Sequence, residues 1–220
     1  MHPVKYMGAY QFLYMQSFAE RLLIMKIIVA TKNHGKVKEI SKIFADMNID
    51  VITQEEAHIN IDVEETGDTF EKNALIKARA ISMLCDDIVI ADDSGLCVDA
   101  LDGRPGVYSA RYAGPDASDS DRINKLLDEL KNEDNRNAKF MCCVALVLPD
   151  GREFTATGEV NGTILSAPEG ENGFGYDPVF FCDELQKTFA VANAQEKNAV
   201  SHRGRALRAM YEKIRELDIF

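Results

Sequence analysis

Apolar and polar positions fall along this chain in blocks of two kinds. Short continuous runs rich in β-branched residues, 26–31 (KIIVAT) and 87–92 (DIVIAD), read as buried strands, and 50–53 (DVIT) as a second short strand. Between them Val37, Ile40, Ile43, Phe44 and Met47, and then Phe70, Ala74, Ala78 and Ile81, recur at helical spacing. The second stripe belongs to a helix predicted over 67–84, with Asp68 as its cap and Glu71 three residues on, in the manner of a capping box. Ile123, Leu126, Leu127 and Leu130 mark a third helix over 119–131. Runs beginning at Ala138 and Arg152 read as two strands joined by a turn at Pro149-Asp150-Gly151. A Gly-rich loop over 166–178, a short strand PVFF and a closing helix capped by Ser201 complete the pattern.

Alternating strands and helices, with one hairpin among them, predict an α/β fold on a mixed sheet. Residues 1–24 stand apart, being rich in Met and aromatics. Gln11 and Gln16 interrupt their apolar run, which makes them a poor signal peptide and too polar for a membrane span. They are read as an appended extension without chemistry, ahead of one domain over 25–220.

Composition narrows the function. A net charge of −11 and the absence of any Lys/Arg-rich block argue against nucleic-acid binding. A small polyanion stays possible, because a local cationic pocket can sit in an acidic protein. The five cysteines form no C-x-x-C pair, which argues against zinc and a disulfide framework and for free thiols in a reducing cytoplasm.

Five polar segments fall at junctions between elements, where α/β proteins build sites. In TKNHGK, Thr31 to Lys36, a strand ends and a helix begins, so free N–H groups and Lys36 could hold phosphate. An ordinary βα loop would look the same, and the Walker spacing is absent. In the segment 64–78, Glu64 and Glu65 precede a helix on which Asn73 and Lys77 share a face opposite the apolar stripe. That face suits either solvent or a site with a metal carboxylate, an amide and an ammonium.

The third segment, VIADDSGL, runs a buried strand into Asp92 and Asp93. Adjacent acids there are costly unless a cation such as Mg²⁺ neutralises them. Alternation along a strand sends the two side chains opposite ways, so they are expected to do different work. A helix cap or turn is the plainer alternative. Phe174, set among glycines in GFGYDP, could stack on a base or simply fill a core. Lys197, His202 and Arg203 gather at the start of the last helix, where cations oppose the helix dipole unless they serve something anionic or electron-rich.

With TKNHGK, EETGDTFEKNA, ADDSGL, GRPGVYSARYAG, GFGYDPVF and SHRGRAL in this order, the chain from Met25 onward resembles the inosine/xanthosine triphosphate pyrophosphatase family. The resemblance implies an elongated mixed sheet flanked by helices, with two lobes and an active-site cleft between them. It also implies a cytoplasmic homodimer that converts dITP, ITP and XTP to the monophosphate and pyrophosphate with Mg²⁺. Thr31, Lys32, Asn33, His34, Gly35 and Lys36 would hold the triphosphate, with Asn73 and Lys77 beside it. Glu64 and Asp93 would bind the metal, Asp93 would accept the proton, and Ser94 would touch substrate. Phe174, Gly175, Tyr176, Asp177, Lys197, His202 and Arg203 would form the nucleoside pocket. A pyrophosphatase of the septum-inhibitor type and a non-catalytic nucleotide sensor are the competing readings. The SHRG and GFGYDP segments disfavour the first, and the intact Lys36, Glu64 and Asp93 disfavour the second.

Overall fold

The computed structural model describes residues 26–46 and 49–217. The extension 1–24 and Met47 of the first helical stripe lie outside the described residues. Strand β1 (Lys26–Val29) leads into helix α1 (His34–Asp46) and β2 (Asp50–Thr53). Then come α2 (Phe70–Ser82), β3 (Ile88–Val98), two short 3₁₀ segments, Asp99–Leu101 and Gly106–Arg111, and α3 (Asp119–Glu129). The hairpin β4 (Asn137–Val147) and β5 (Glu153–Ile164) is followed by β6 (Phe180–Cys182), β7 (Lys187–Thr188), α4 (Ala194–Val200) and α5 (His202–Glu216).

The strands form one sheet in the order β2-β1-β3-β4-β5-β6-β7. β1 pairs parallel with β2 and β3, and every later pairing is antiparallel, so the sheet is mixed as the pattern predicts. Helices cover it because each carries an apolar stripe that must be buried. On one face Ile27, Ile90 and Val144 meet Ile40 and Phe44 of α1 and Leu207 and Met210 of α5. On the other, Ile28, Val89 and Ala145 meet Ala74, Ala78 and Ile81 of α2. Farther along β3 and β4, Leu96, Val98 and Phe140 enter a separate cluster with Leu126, Phe180 and Phe189.

Two expectations need correction. β3 does not end on its acids. It continues as a strand to Val98, with Asp92 opposite Val144 and Asp93 opposite Cys143 of β4. The doublet therefore sits in mid-strand, between the buried Val89, Ile90 and Ala91 on one side and Leu96 and Val98 on the other. Helix α2 is capped by Thr69, whose hydroxyl accepts from the Lys72 N–H at 3.2 Å, whereas Asp68 pairs with Lys72 on the surface. The Ser201 cap of α5 stands as expected, accepting from the Gly204 N–H. The start of α5 lies hard against β5. A Cβ on Gly158 would run into the His202 carbonyl and the Ala206 nitrogen, so only glycine permits this approach.

Candidate active site

A cleft of about 340 Å³ opens over the middle of β3, within the ~300–1,000 Å³ usual for small-molecule sites. The pleat of β3 splits the acid doublet. Asp93 follows Val89 and Ala91 toward α2, and Asp92 follows Ile90 toward α1 and α5.

Asp93 lines the cleft and is held by two donors. Its Oδ2 accepts from Asn73 Nδ2 at 3.0 Å and its Oδ1 from the Ser94 N–H at 2.9 Å. Lys77 reaches the same spot from α2. Its Nζ lies 2.5 Å from Glu65 Oε1, 2.7 Å from the Asp92 carbonyl and 3.9 Å from Asp93 Oδ1. Burial raises the Asp93 carboxyl above its ordinary value, Glu65 adds to this, and Lys77 only partly offsets it. Burial alone would lower Lys77, but Asp93, Asp92 and Glu65 together raise it, so it stays charged.

Asp92 is buried, and its Oδ2 gathers Lys36 Nζ and Arg203 Nε, each at 3.1 Å. Burial works against its ionised form, yet Lys36, Arg203 and Lys77 overcome that and hold it well below the usual carboxylate range. Its Oδ1 finds no hydrogen-bond partner among the described residues. Arg203, 1% exposed, is engaged through all three nitrogens: Nε with Asp92, Nη1 with Glu39, and Nη2 with the Ser94 hydroxyl at 2.9 Å. Lys197 pairs with Glu39 and Asp177, each at 2.7 Å. A chain of alternating charge thus runs Lys36–Asp92–Arg203–Glu39–Lys197–Asp177 beneath the cleft.

At the far end stands Phe174. Its ring packs on Gly35, where an added Cβ would come within 2.9 Å of Cδ1, so the TKNHGK turn and the GFGYDP loop touch only because residue 35 is glycine. Lys197 Nζ lies 4.9 Å from the ring centroid, a cation–π distance. The Phe174 N–H donates to Asp177 at 2.8 Å and the Gly175 N–H to Asp119 at 2.7 Å. His202 stacks on Phe140 with ring centroids 4.7 Å apart, and its Nδ1 finds no partner among the described residues. Burial, with Arg203 and Lys197 nearby, puts the imidazole well below its ordinary value and keeps it neutral. The Tyr176 hydroxyl donates to the Ser109 carbonyl at 2.9 Å, which anchors the loop to the 3₁₀ turn.

Most of the predicted site residues meet at this cleft. Thr31, Lys32, Asn33, Lys36, Lys77, Asp93, Ser94, Phe174, Gly175, Tyr176, Asp177, Lys197, His202 and Arg203 all line it. Four stand elsewhere. His34 is exposed and off the wall, and Gly35 lies under Phe174. Asn73 is fully buried instead of facing solvent or phosphate. It bridges Asp93 to the Gly67 N–H, which donates to its Oδ1 at 2.7 Å. Glu64 is exposed and outside the lining, while its neighbour Glu65 points into the cleft. In an extended segment adjacent side chains alternate, and the doublet alone cannot say which faces inward.

Three further residues, Glu39, Asp119 and Arg122, join the site through the fold. Glu39 carried a usable signal, standing three residues after Lys36 and hence on the same face of α1. Asp119 and Arg122 carried none, since α3 begins in a run of ordinary surface polars.

Two carboxylates here could help to hold a hard divalent cation. Asp93 and Glu65 offer oxygens to one cavity and repel each other there, a charge pattern that such a cation would relieve. In the structure Lys77 stands between them as the compensating cation.

A profile described as the Ham1 family matches residues 27–213. The chain is similar to a dITP/XTP pyrophosphatase of Bacillus cereus, 50% identical over 197 residues, covering 87% of this chain and 95% of the other. A dITP/XTP pyrophosphatase of Clostridium perfringens is 49% identical over 198 residues, with 86% and 97% covered. Among solved structures, the Ham1 protein of Staphylococcus aureus superposes with a TM-score of 0.78 at 43% identity, covering 87% of this chain and 98% of that one. A HAM1 protein from Coxiella burnetii gives 0.79 at 41% identity, with 87% and 99% covered.

Proposed function

This chain belongs to the Ham1 family, and we propose that it hydrolyses the non-standard purine nucleoside triphosphates dITP, ITP and XTP to the monophosphate and pyrophosphate, with Mg²⁺. The observation that carries this reading is Asp93: a cleft carboxylate raised by burial, oriented by Asn73 and Ser94, with Lys77 and Lys36 close by.

Asp93 accepts the proton of the attacking water. The water oxygen bonds to the α-phosphorus, the bond to the α–β bridging oxygen breaks, and pyrophosphate leaves. Lys36 and Lys77 stabilise the charge that gathers on the leaving group. Asp93 and Glu65 would help to hold Mg²⁺, which would supply an acidified water and further charge neutralisation. Asn73 holds the base in orientation without touching substrate. At the other end the purine lies on Phe174, with Lys197 and Arg203 beside it.

Discrimination against adenine rests on its 6-amino group where inosine and xanthosine carry an oxo acceptor, and a site with matched donors can reject the wrong base by ~10⁴. The Phe174 and Gly175 N–H groups are committed to carboxylates, so they are not those donors. A homodimeric state and a cytoplasmic location belong to the same proposal. Among the described residues no helix is long and apolar enough to cross a membrane.

The test is incubation with dITP, ITP, XTP, dTTP, ATP and GTP in Mg²⁺, with pyrophosphate and orthophosphate measured separately. Pyrophosphate from the first three alone is expected. Equal rates for ATP and ITP, or release of single phosphate, would overturn the reading, and a preference for dTTP would favour the septum-inhibitor type.

A further inference from the structure

Asp119 opens α3, yet its carboxylate is not used by its own helix cap. Ser118 caps α3, accepting from the Asp121 N–H, and Asp121 returns a bond to the Ser118 N–H, which completes a capping box without Asp119. Asp119 Oδ2 instead accepts from the Gly175 N–H at 2.7 Å, a separation of 56 residues along the chain. Its Oδ1 pairs with Arg122. The Arg122 Nη1 in turn donates to the Ala110 carbonyl at 2.9 Å and the Ala117 carbonyl at 2.6 Å. One carboxylate–guanidinium pair therefore ties α3, the 110–117 loop and the GFGYDP loop into a single wall, and Ala110, Asp119, Arg122 and Gly175 all face the cleft.

The Phe174–Gly175 segment is consequently gripped from two sides. Asp177 holds the Phe174 N–H and Asp119 holds the next one. Hydrogen bonds from peptide N–H to carboxylate are charge-assisted and stronger than neutral ones. A loop so held presents its aromatic ring in one place, which removes an ordering cost from each binding event. We infer that Asp119, braced by Arg122, is a positioning residue that sets the Phe174 platform and with it the enzyme's selectivity for the base. This rests on the purine lying on Phe174, as proposed above. Asp119 makes none of the contacts around Asp93 or Lys36, so its influence is confined to the nucleoside end.

The experiment compares Asp119→Ala and Asp119→Asn with the unaltered protein. With Asp119→Ala the KM for ITP is expected to rise about tenfold, the scale of one charge-assisted hydrogen bond. Little change in kcat and a reduced preference for ITP over ATP accompany it. Inhibition by inorganic tripolyphosphate, which probes only the phosphate end, stays unchanged. Asp119→Asn recovers much of the loss, because its amide oxygen still accepts from Gly175. An unaltered KM and preference, or a parallel loss of tripolyphosphate affinity, would overturn the inference.

A second readout does not depend on turnover. The chain contains no Trp, so Phe174→Trp introduces a single indole. Adding Asp119→Ala to that variant is expected to lower its fluorescence anisotropy without nucleotide. Unchanged anisotropy would refute the clamp even if the protein hydrolysed no ITP.

Discussion

Asn73 Nδ2 stands 3.0 Å from Asp93 Oδ2, and the same side chain accepts from the Gly67 N–H through its oxygen. This one buried amide joins helix α2, the segment that carries Glu65, and the carboxylate at the centre of the cleft. Replacing Asn73 by Ala leaves Asp93 without its orienting donor and Gly67 without its acceptor. The expected result is a fall in kcat of about 10- to 150-fold, the range of ~1.5–3 kcal/mol for a hydrogen bond to a charged group. The KM changes little, and steady-state kinetics with ITP measures the split.

Asp93→Asn keeps the size and the bond from Ser94 but removes the base. A loss of ~10²–10⁴ in kcat is expected from general-base chemistry alone. Single-turnover measurement with ITP at saturating Mg²⁺ checks it, and undiminished turnover would remove Asp93 from the mechanism.

Glu64 and Glu65 offer a paired comparison. Glu65 faces the cleft and Lys77, whereas Glu64 is exposed and outside the lining. Glu65→Gln is expected to raise the Mg²⁺ concentration needed for half-maximal activity, and Glu64→Gln to leave it unchanged. Magnesium titration of both variants decides between them, and the reverse ranking would return the metal to Glu64.

His202 gives a pH signature in stability. Burial first, then Arg203 and Lys197, lowers its folded-state value well below the ordinary imidazole value. The unfolded chain therefore takes up a proton as the pH drops through about 6.5, while the folded chain does not. Stability is expected to fall from pH 7 toward pH 5, by up to about 1.4 kcal/mol per pH unit for one proton. His202→Gln removes that proton from the balance and flattens the slope. Urea midpoints across this range measure it, the slope and not the absolute stability being the quantity compared.

Glu39 stands between two buried cations, and Arg203 and Lys197 outweigh the burial that would otherwise raise its carboxyl, leaving it lowered. Glu39→Ala removes one partner from each cation, but Arg203 keeps Asp92 and Lys197 keeps Asp177. Two charged contacts to buried cations are lost, so the cost is expected near the ~3–5 kcal/mol of breaking a buried pair, which corresponds to a Tm lower by about 6–20 °C in a chain of this size. Thermal unfolding monitored by circular dichroism tests it.

Much of this architecture was legible in the residues because local rules and tertiary packing agree. KIIVAT and DVIT are strands by composition, the first buried and the second half-buried at the sheet edge, the stripes of α1, α2 and α3 face the core, and Ser201 caps α5 as its type predicts. The short helix α4 and the two-residue β7 escaped, being too brief to show a period. The Asn73 face of α2 misled for another reason. A polar stripe reads as solvent-facing, but here Asn73 meets the equally polar Asp93, and each satisfies the other in the interior.

The sequence by itself determined the order of strands and helices, the mixed character of the sheet, and which junctions bring polar residues together. These follow from side-chain periodicity and from capping and turn chemistry, which act over a few residues. Only the tertiary structure decided that β3 runs on through Asp92 and Asp93. Asp, Ser and Gly disfavour strands locally, and it is pairing with Val144 to Met141 on β4 that keeps them in register. Only the tertiary structure turned Glu65, and not Glu64, toward the cleft, and placed Glu39 and Asp119 on groups 164 and 56 residues away. Burial there makes each charge seek a partner across the fold, and no local pattern records which partner it finds.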